Sequence, residues 1–255
     1  VARRRKRKLK SSQVSKRIVG VDEANPHVKI LVYGKNGKGK TRFAASAPKC
    51  LLIDINERGT LSARSYKGVK VIHVESWYDL EAIYWYLKKG EHQFESVAID
   101  TLTAMQALCM EQVIYEGYER DSTRQPKTPT KRDWGTTKQM MEEELLKFRN
   151  LPMNVIFTAQ ERTTGDPEEG EPRLITADLP AGARSAALGA VQVIGRMYKK
   201  EVKVKGKKRR SKWEFRLFVG DHAELDTKDR TFTLGRILRE PTVPKVIQAS
   251  VSQED

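Results

Sequence analysis

A chain of 255 residues has room for one large α/β domain with a full core, and is short for two. No apolar run approaches the ~18–20 residues that a membrane helix needs, and the polar opening residues are not the pattern of a signal peptide. Two cysteines, Cys50 and Cys109, without metal-ligand or redox spacing, fit a reducing cytoplasm and exclude a disulfide scaffold.

The net charge of +15 is concentrated. Residues 1–10 carry +7 and residues 199–212 carry +8, so the rest of the chain is neutral. Two basic patches on a neutral body read as attachment points for a polyanion. The plainer alternative is a solvated tail and a solvated hairpin. His27, His73, His92 and His222 are scattered and read as structural.

In chain order, residues 1–27 form a basic tail and a polar arm, 28–240 the core, and 241–255 a tail without a clear signal. Val28 to Tyr33 is a short apolar strand. It runs into Gly34, Lys35, Asn36, Gly37, Lys38, Gly39, Lys40, Thr41 and Arg42, in which Gly34, Gly39, Lys40 and Thr41 fill the pattern G-x-x-x-x-G-K-[ST]. The spacing predicts a phosphate-cradling loop between a strand and a helix. The glycines let backbone N–H groups curl around an anion, Lys40 reaches the terminal phosphates, and the Thr41 hydroxyl holds Mg²⁺. The N-terminal end of a helix starting at Lys40 adds positive potential. A nucleoside triphosphate is the expected ligand.

Further strands are predicted at Leu51–Ile55, Val69–Val74, Val97–Asp100 and Asn154–Ala159. Helices are predicted after Ser76 (apolar at Trp77, Leu80, Ile83, Tyr84 and Leu87), over 102–115 and over 133–150. Alternation of this kind predicts a mostly parallel sheet with helices on both faces. From Val191 the pattern changes: residues 191–199 and 212–220 flank GKKRRS and predict an antiparallel hairpin with a basic tip.

Ligands of open α/β sheets sit beyond the carboxyl ends of the strands. There the chain places the P-loop, then Asp54-Ile55-Asn56-Glu57, then Asp100, then Gln160. Asp100 suits the acid that holds Mg²⁺ through water. Glu57 is the candidate base for the attacking water, and Gln160 the candidate sensor of the γ-phosphate.

The succession GKNGKGKT, LLIDINE, VAIDTLT, VIFTAQE and a late basic hairpin resembles the RecA-type recombinase ATPase core over residues 28–240. More narrowly, it is similar to the shortened phage-encoded recombinase-like proteins that anneal single-stranded DNA. The resemblance implies a P-loop NTPase fold and ATP with Mg²⁺ on Lys40, Thr41 and Asp100. It also implies nucleotide–DNA coupling through Gln160 and action in the host cytoplasm. The family's catalytic glutamate stands two residues after the strand-end acid, where this chain has Asn56; Glu57 is one position later. The two DNA-binding loops map to 117–132 and 161–178. The first holds Arg120, Arg124, Lys127, Lys131 and Arg132 against Glu119 and Asp121, a net +3 suited to phosphate contacts. In the second, Glu161, Asp166, Glu168, Glu169 and Glu171 outnumber Arg162 and Arg173. Either Arg162 and the backbone bind DNA there, or the acidic stretch faces a neighbouring subunit or a partner protein. The basic tail is a second candidate docking element. Lys228 and Arg230 match a basic-x-basic pair that reaches the ATP of an adjacent subunit in RecA-type filaments.

The expectation is an ATP-dependent single-stranded-DNA-binding protein that anneals or exchanges strands as an oligomer. Two alternatives remain open: a hexameric helicase or packaging motor on the same fold, and a nucleotide-gated DNA-coating scaffold with negligible turnover.

Overall fold

The structure is a computed structural model that describes residues 14, 15, 18, 20, 27–55, 59–203 and 211–251. The basic tail, Glu57 and the hairpin tip at 204–210 therefore lie outside the described residues. Nine strands form one sheet. β1 (Lys29–Tyr33), β2 (Cys50–Ile55), β4 (Ser96–Asp100) and β5 (Asn154–Ala159) are buried along their whole length. Uninterrupted apolar runs of this kind belong to parallel strands covered on both faces. β3 (Lys70–Val74) is the edge, exposed at four of its five residues.

The remaining strands are β8 (Val193–Lys203), β9 (Ser211–Phe218), β10 (Lys228–Asp229) and β11 (Ile237–Arg239). The order across the sheet is β3-β2-β4-β5-β1-β8-β9-β11, with β10 paired to β8. Pairing is parallel from β3 to β8 and antiparallel beyond it. This is the expected arrangement: a mostly parallel sheet flanked by helices, with an antiparallel C-terminal hairpin.

Alternate residues of each strand feed two cores. Leu31, Tyr33, Ile53, Ile99 and Phe157 face α2 (Trp77–Lys89), α3 (Leu102–Arg120), α4 (Lys131–Arg149) and α5 (Ala181–Ala190). Ile30, Val32, Leu52, Ala98 and Ile156 face α1 (Lys40–Ala45) and α6 (Val243–Val251). Each large side chain buried in this way contributes about 1.5–3 kcal/mol. α2 starts where Ser76 and Asp79 predict: the Asp79 carboxylate accepts from the Ser76 N–H at 2.8 Å and stops at Gly90, whose φ of 78° only glycine adopts cheaply. Cys50 and Cys109 are free thiols rather than disulfide partners, and burial pushes both up to about 12.

The structure departs from expectation in four places. α3 runs on to Arg120. Residues 161–178 form a two-stranded hairpin, β6 (Glu161–Thr164) with β7 (Leu174–Ala177), tied to β8 by a two-pronged Arg196–Glu161 ion pair at 2.9 and 3.1 Å. α5 occupies a stretch without a periodic signal. The segment after Pro241 is not a tail: α6 buries Val243 and Val246 in the core, and the Val243 N–H donates to Ser46 Oγ at 2.8 Å.

Candidate active site

β1 delivers the chain to Gly34 beside β8: a Cβ there would lie 2.5 Å from the Met197 carbonyl oxygen. Gly39 has a φ of 95°, and a Cβ on it would stand 2.6 Å from the Phe215 ring. Both the left-handed backbone and the close approach require glycine there. α1 begins at the next residue. Lys40 is only 6% exposed. Its ammonium donates to the Gly34 carbonyl at 2.8 Å, to the Lys35 carbonyl at 3.2 Å and to Gln160 Oε1 at 2.9 Å. One turn of loop and the end of β5 therefore converge on a single cation.

Asp100, at the end of β4, accepts from Thr41 Oγ1 at 2.6 Å on one oxygen and from Thr158 Oγ1 on the other. Asp100 is in register with Asp54 on β2, which is in register with His73 on β3. Residues opposite each other on neighbouring strands share a face. His73, Asp54, Asp100 and Thr158 thus form a row beneath α1. Asp54 is 1% exposed; its Oδ2 lies 3.1 Å from His73 Nδ1, and among the described residues neither of its oxygens accepts a hydrogen bond.

An orphaned buried carboxylate beside a second one calls for a cation. Mg²⁺ takes oxygen ligands through one or two carboxylates plus phosphates and waters. The residues present fit that ion: Thr41 and Asp100 would hold it, with Asp54 alongside. Among the described residues no group of three or more His, Cys, Asp or Glu could cage a metal on its own.

Above this row lies a cavity of about 370 Å³ lined by Asn36, Gly37, Gly39, Lys40, Thr41, Arg42, Gly59, Ser62, Lys199 and Phe215. Its size is that of a small-molecule site. Gly34 and Lys35 give their carbonyls to Lys40 instead, and Lys38 is half-buried. Phe215 and Lys199 come from the C-terminal hairpin; Lys199 falls in the basic stretch 199–212, but no sequence signal places either residue at the P-loop. The Phe215 ring packs between the Arg42 guanidinium at 4.9 Å and the Lys199 ammonium at 4.7 Å. Asp54 was legible as a strand-end acid, but its pairing with Asp100 depends on strand order. Glu57 lies outside the described residues; Gly59, two positions on, lines the cavity.

Gln160 connects the site to the hairpin that follows it. Its N–H donates to Thr103 Oγ1 at 3.0 Å and its carbonyl accepts from the Asp178 N–H at 2.8 Å. The expected DNA contacts divide. Arg120, Lys127, Lys131, Arg132 and Arg162 are exposed, Arg162 lying 3.8 Å from Asp178. Arg124 is turned inward, paired with buried Asp133 and packed on Gly117.

Lys228 and Arg230 are not beside their own P-loop. β10 runs antiparallel to β8, and the Arg230 N–H donates to the Gln192 carbonyl at the start of β8. That end of the sheet is opposite Gly34. Burial, and then the neighbouring Arg230, lowers the Lys228 pKa; its ammonium donates to the Leu188 carbonyl.

The fold and this site define a P-loop nucleotide-binding core. The profile of a family described as an AAA domain matches residues 27–231, and the chain belongs to that family. Membership implies nucleotide binding. Among curated proteins none matches. Among solved structures, the chain is similar to a KaiC-like protein from the hyperthermophilic archaeon Pyrococcus horikoshii. The two are 13% identical, with a TM-score of 0.42 over 78% of this chain and 84% of that one. No helix among the described residues is long and apolar enough to cross a membrane.

Proposed function

We propose that this protein is an ATP-dependent, single-stranded-DNA-binding ATPase of the recombinase type that anneals or exchanges strands as an oligomer in the cytoplasm. The observation that carries the reading is the contact of Lys40 with Gln160, because it joins the phosphate-binding lysine to the β6–β7 hairpin through one side chain. Lys40 would exchange its carbonyl partners for phosphate oxygens, and Gln160 would register the change. Mg²⁺, when bound, supplies charge neutralisation at the phosphates. Thr41 and Asp100 would orient it, and Glu57 would take the proton of the attacking water. The exposed cations at 120–132 and the basic segments at 1–10 and 199–212 support a polyanionic partner.

ATP hydrolysis measured with and without single-stranded DNA tests this. Stimulation by DNA, lost in Lys40→Ala together with nucleotide binding, is the expected outcome. DNA-stimulated hydrolysis accompanied by duplex unwinding would favour a motor instead. Asn56, at the position of the family's glutamate, favours one rival reading, a DNA-coating scaffold. Tight ATP and DNA binding with no turnover would establish it.

A further inference from the structure

β8 and β9 pair antiparallel from Arg196 and Phe218 out to Lys203 and Ser211, and the alternation of each strand sorts the hairpin into two faces. Lys199 stands opposite Phe215, Glu201 opposite Trp213, and Lys203 opposite Ser211, so these six share one face. The first pair walls the P-loop cavity. Trp213, in the second pair, is 64% exposed, the most exposed of the chain's four tryptophans. Glu201, opposite it, accepts from the Ser211 hydroxyl. Lys199 and Lys203 are the diagonal neighbours of Trp213, at the ~7–8 Å that long and aromatic side chains can span.

An aromatic residue in a strand needs no special reason. The surroundings of this one do: it stands in water between two lysines, in a stretch, 199–212, with nine basic residues and one acidic. Charge draws a polyanion to that stretch without telling a single strand from a duplex. Phosphate contacts carry no information on pairing, and a duplex presents its phosphates densely, one charge per ~1.7 Å of axis. What a single strand adds is the open face of its bases, which a duplex keeps stacked inside. A reader of that face must be flat, apolar and exposed, with cations beside it for the flanking phosphates.

We propose that Trp213 is a stacking platform for an unpaired base of a single-stranded nucleic acid, with Lys199 and Lys203 taking the phosphates on either side. The identity of the polymer rests on the proposed function; the platform adds the residue that distinguishes a single strand from a duplex. One base stacked on an aromatic side chain strengthens binding by about tenfold, whatever the sequence, because every base has a π-face. Lys199 belongs to both sites, since its ammonium also lies 4.7 Å from the centre of the Phe215 ring. The platform is about 7 Å along the strand from that wall of the P-loop cavity.

The test is titration of the full chain, followed by fluorescence anisotropy, with three labelled probes of equal length. They are oligothymidine, the same deoxyribose-phosphate strand without bases, and a duplex. Trp213→Ala should weaken oligothymidine binding about tenfold and leave the abasic strand, the duplex and the salt slope unmoved. Equal loss on oligothymidine and the abasic strand, or no loss on oligothymidine, overturns the platform. Should the alanine variant fail to fold, the emission of Trp213 itself decides, in a chain carrying Trp85→Phe and Trp134→Phe with buried Trp77 as a constant background. Quenching by oligothymidine and not by the abasic strand supports stacking; quenching by both alike, or by neither, overturns it. If the unaltered chain binds no probe and the hairpin captures a protein instead, the proposed function and the platform fall together. Single-strand binding that Trp213→Ala leaves untouched defeats the platform alone.

Discussion

Asp54 carries a buried carboxylate that accepts no hydrogen bond from the described residues, with only the His73 ring 3.1 Å away, and it is in register with a second buried carboxylate. Replacing it should therefore separate stability from ligand binding. Asp54→Asn is expected to stabilise the metal-free protein by about 1 kcal/mol, a rise of about 2–4 °C in melting temperature for a chain of this size. The same change should weaken the Mg²⁺-dependent part of nucleotide affinity about tenfold. If melting and Mg²⁺ dependence both stay unchanged, Asp54 has no part in holding the ion. Glu57 calls for the complementary substitution. If it is the base, Glu57→Gln keeps ATP and DNA binding and slows hydrolysis by ~10²–10⁴-fold; turnover at the unaltered rate would place the base elsewhere.

The α3–α4 connection distinguishes an architectural arginine from ligand-facing cations. Asp133 is buried, and Arg124 and Thr130 both donate to its carboxylate. Removing one partner of a buried pair leaves an uncompensated charge. Arg124→Ala should lower stability by about 2 kcal/mol, or about 4–8 °C. Exposed Lys127→Ala should melt normally and bind single-stranded DNA more weakly. Equal melting of the two variants would return Arg124 to the DNA-contact set.

Elements were legible where the local signal was strong. VKILVY, LLIDI, VAID and NVIFTA are compact buried runs ending in polar residues, and each is a strand of the central sheet. α5 was not legible, because Ala and Gly make most of its sequence; its close packing, with Lys138 against Gly182, needs small residues rather than a large apolar stripe. The β6–β7 hairpin is read as a loop from its charges, since the Arg196–Glu161 pair that secures it spans 35 residues. The P-loop, Asp100 and Gln160, expected side by side at the strand ends, do lie together there. The Phe215 wall was not legible, because it arrives from a distant hairpin.

Charge is a property of the whole molecule here. With +7 in residues 1–10 and +8 in residues 199–212 on an otherwise neutral chain, the tail should add affinity for nucleic acid without sequence preference. Deleting residues 1–10 is expected to weaken binding at low salt and flatten the dependence of affinity on salt concentration. An identical salt slope after deletion would show a tail that is merely solvated.

β8 touches three places that otherwise lie apart. It starts at the Arg230 contact, passes its Met197 carbonyl against Gly34, carries Lys199 over Phe215, and continues to Lys203. Were the strand to turn as one rigid beam, Met197, packed against Gly34, would be its fulcrum. Six residues of strand from there to Lys203 make an arm of about 20 Å, and five to Gln192 make one of about 16 Å. A tilt of about five degrees at the fulcrum displaces both ends by between about 1 and 2 Å, in opposite senses. Filling the P-loop and gripping a polyanion at the far tip would then be two loads on one balance. Paired spin labels at Lys203 and on α4 should report a nucleotide-dependent shift in spacing, and a spacing indifferent to nucleotide would mean that the beam does not turn.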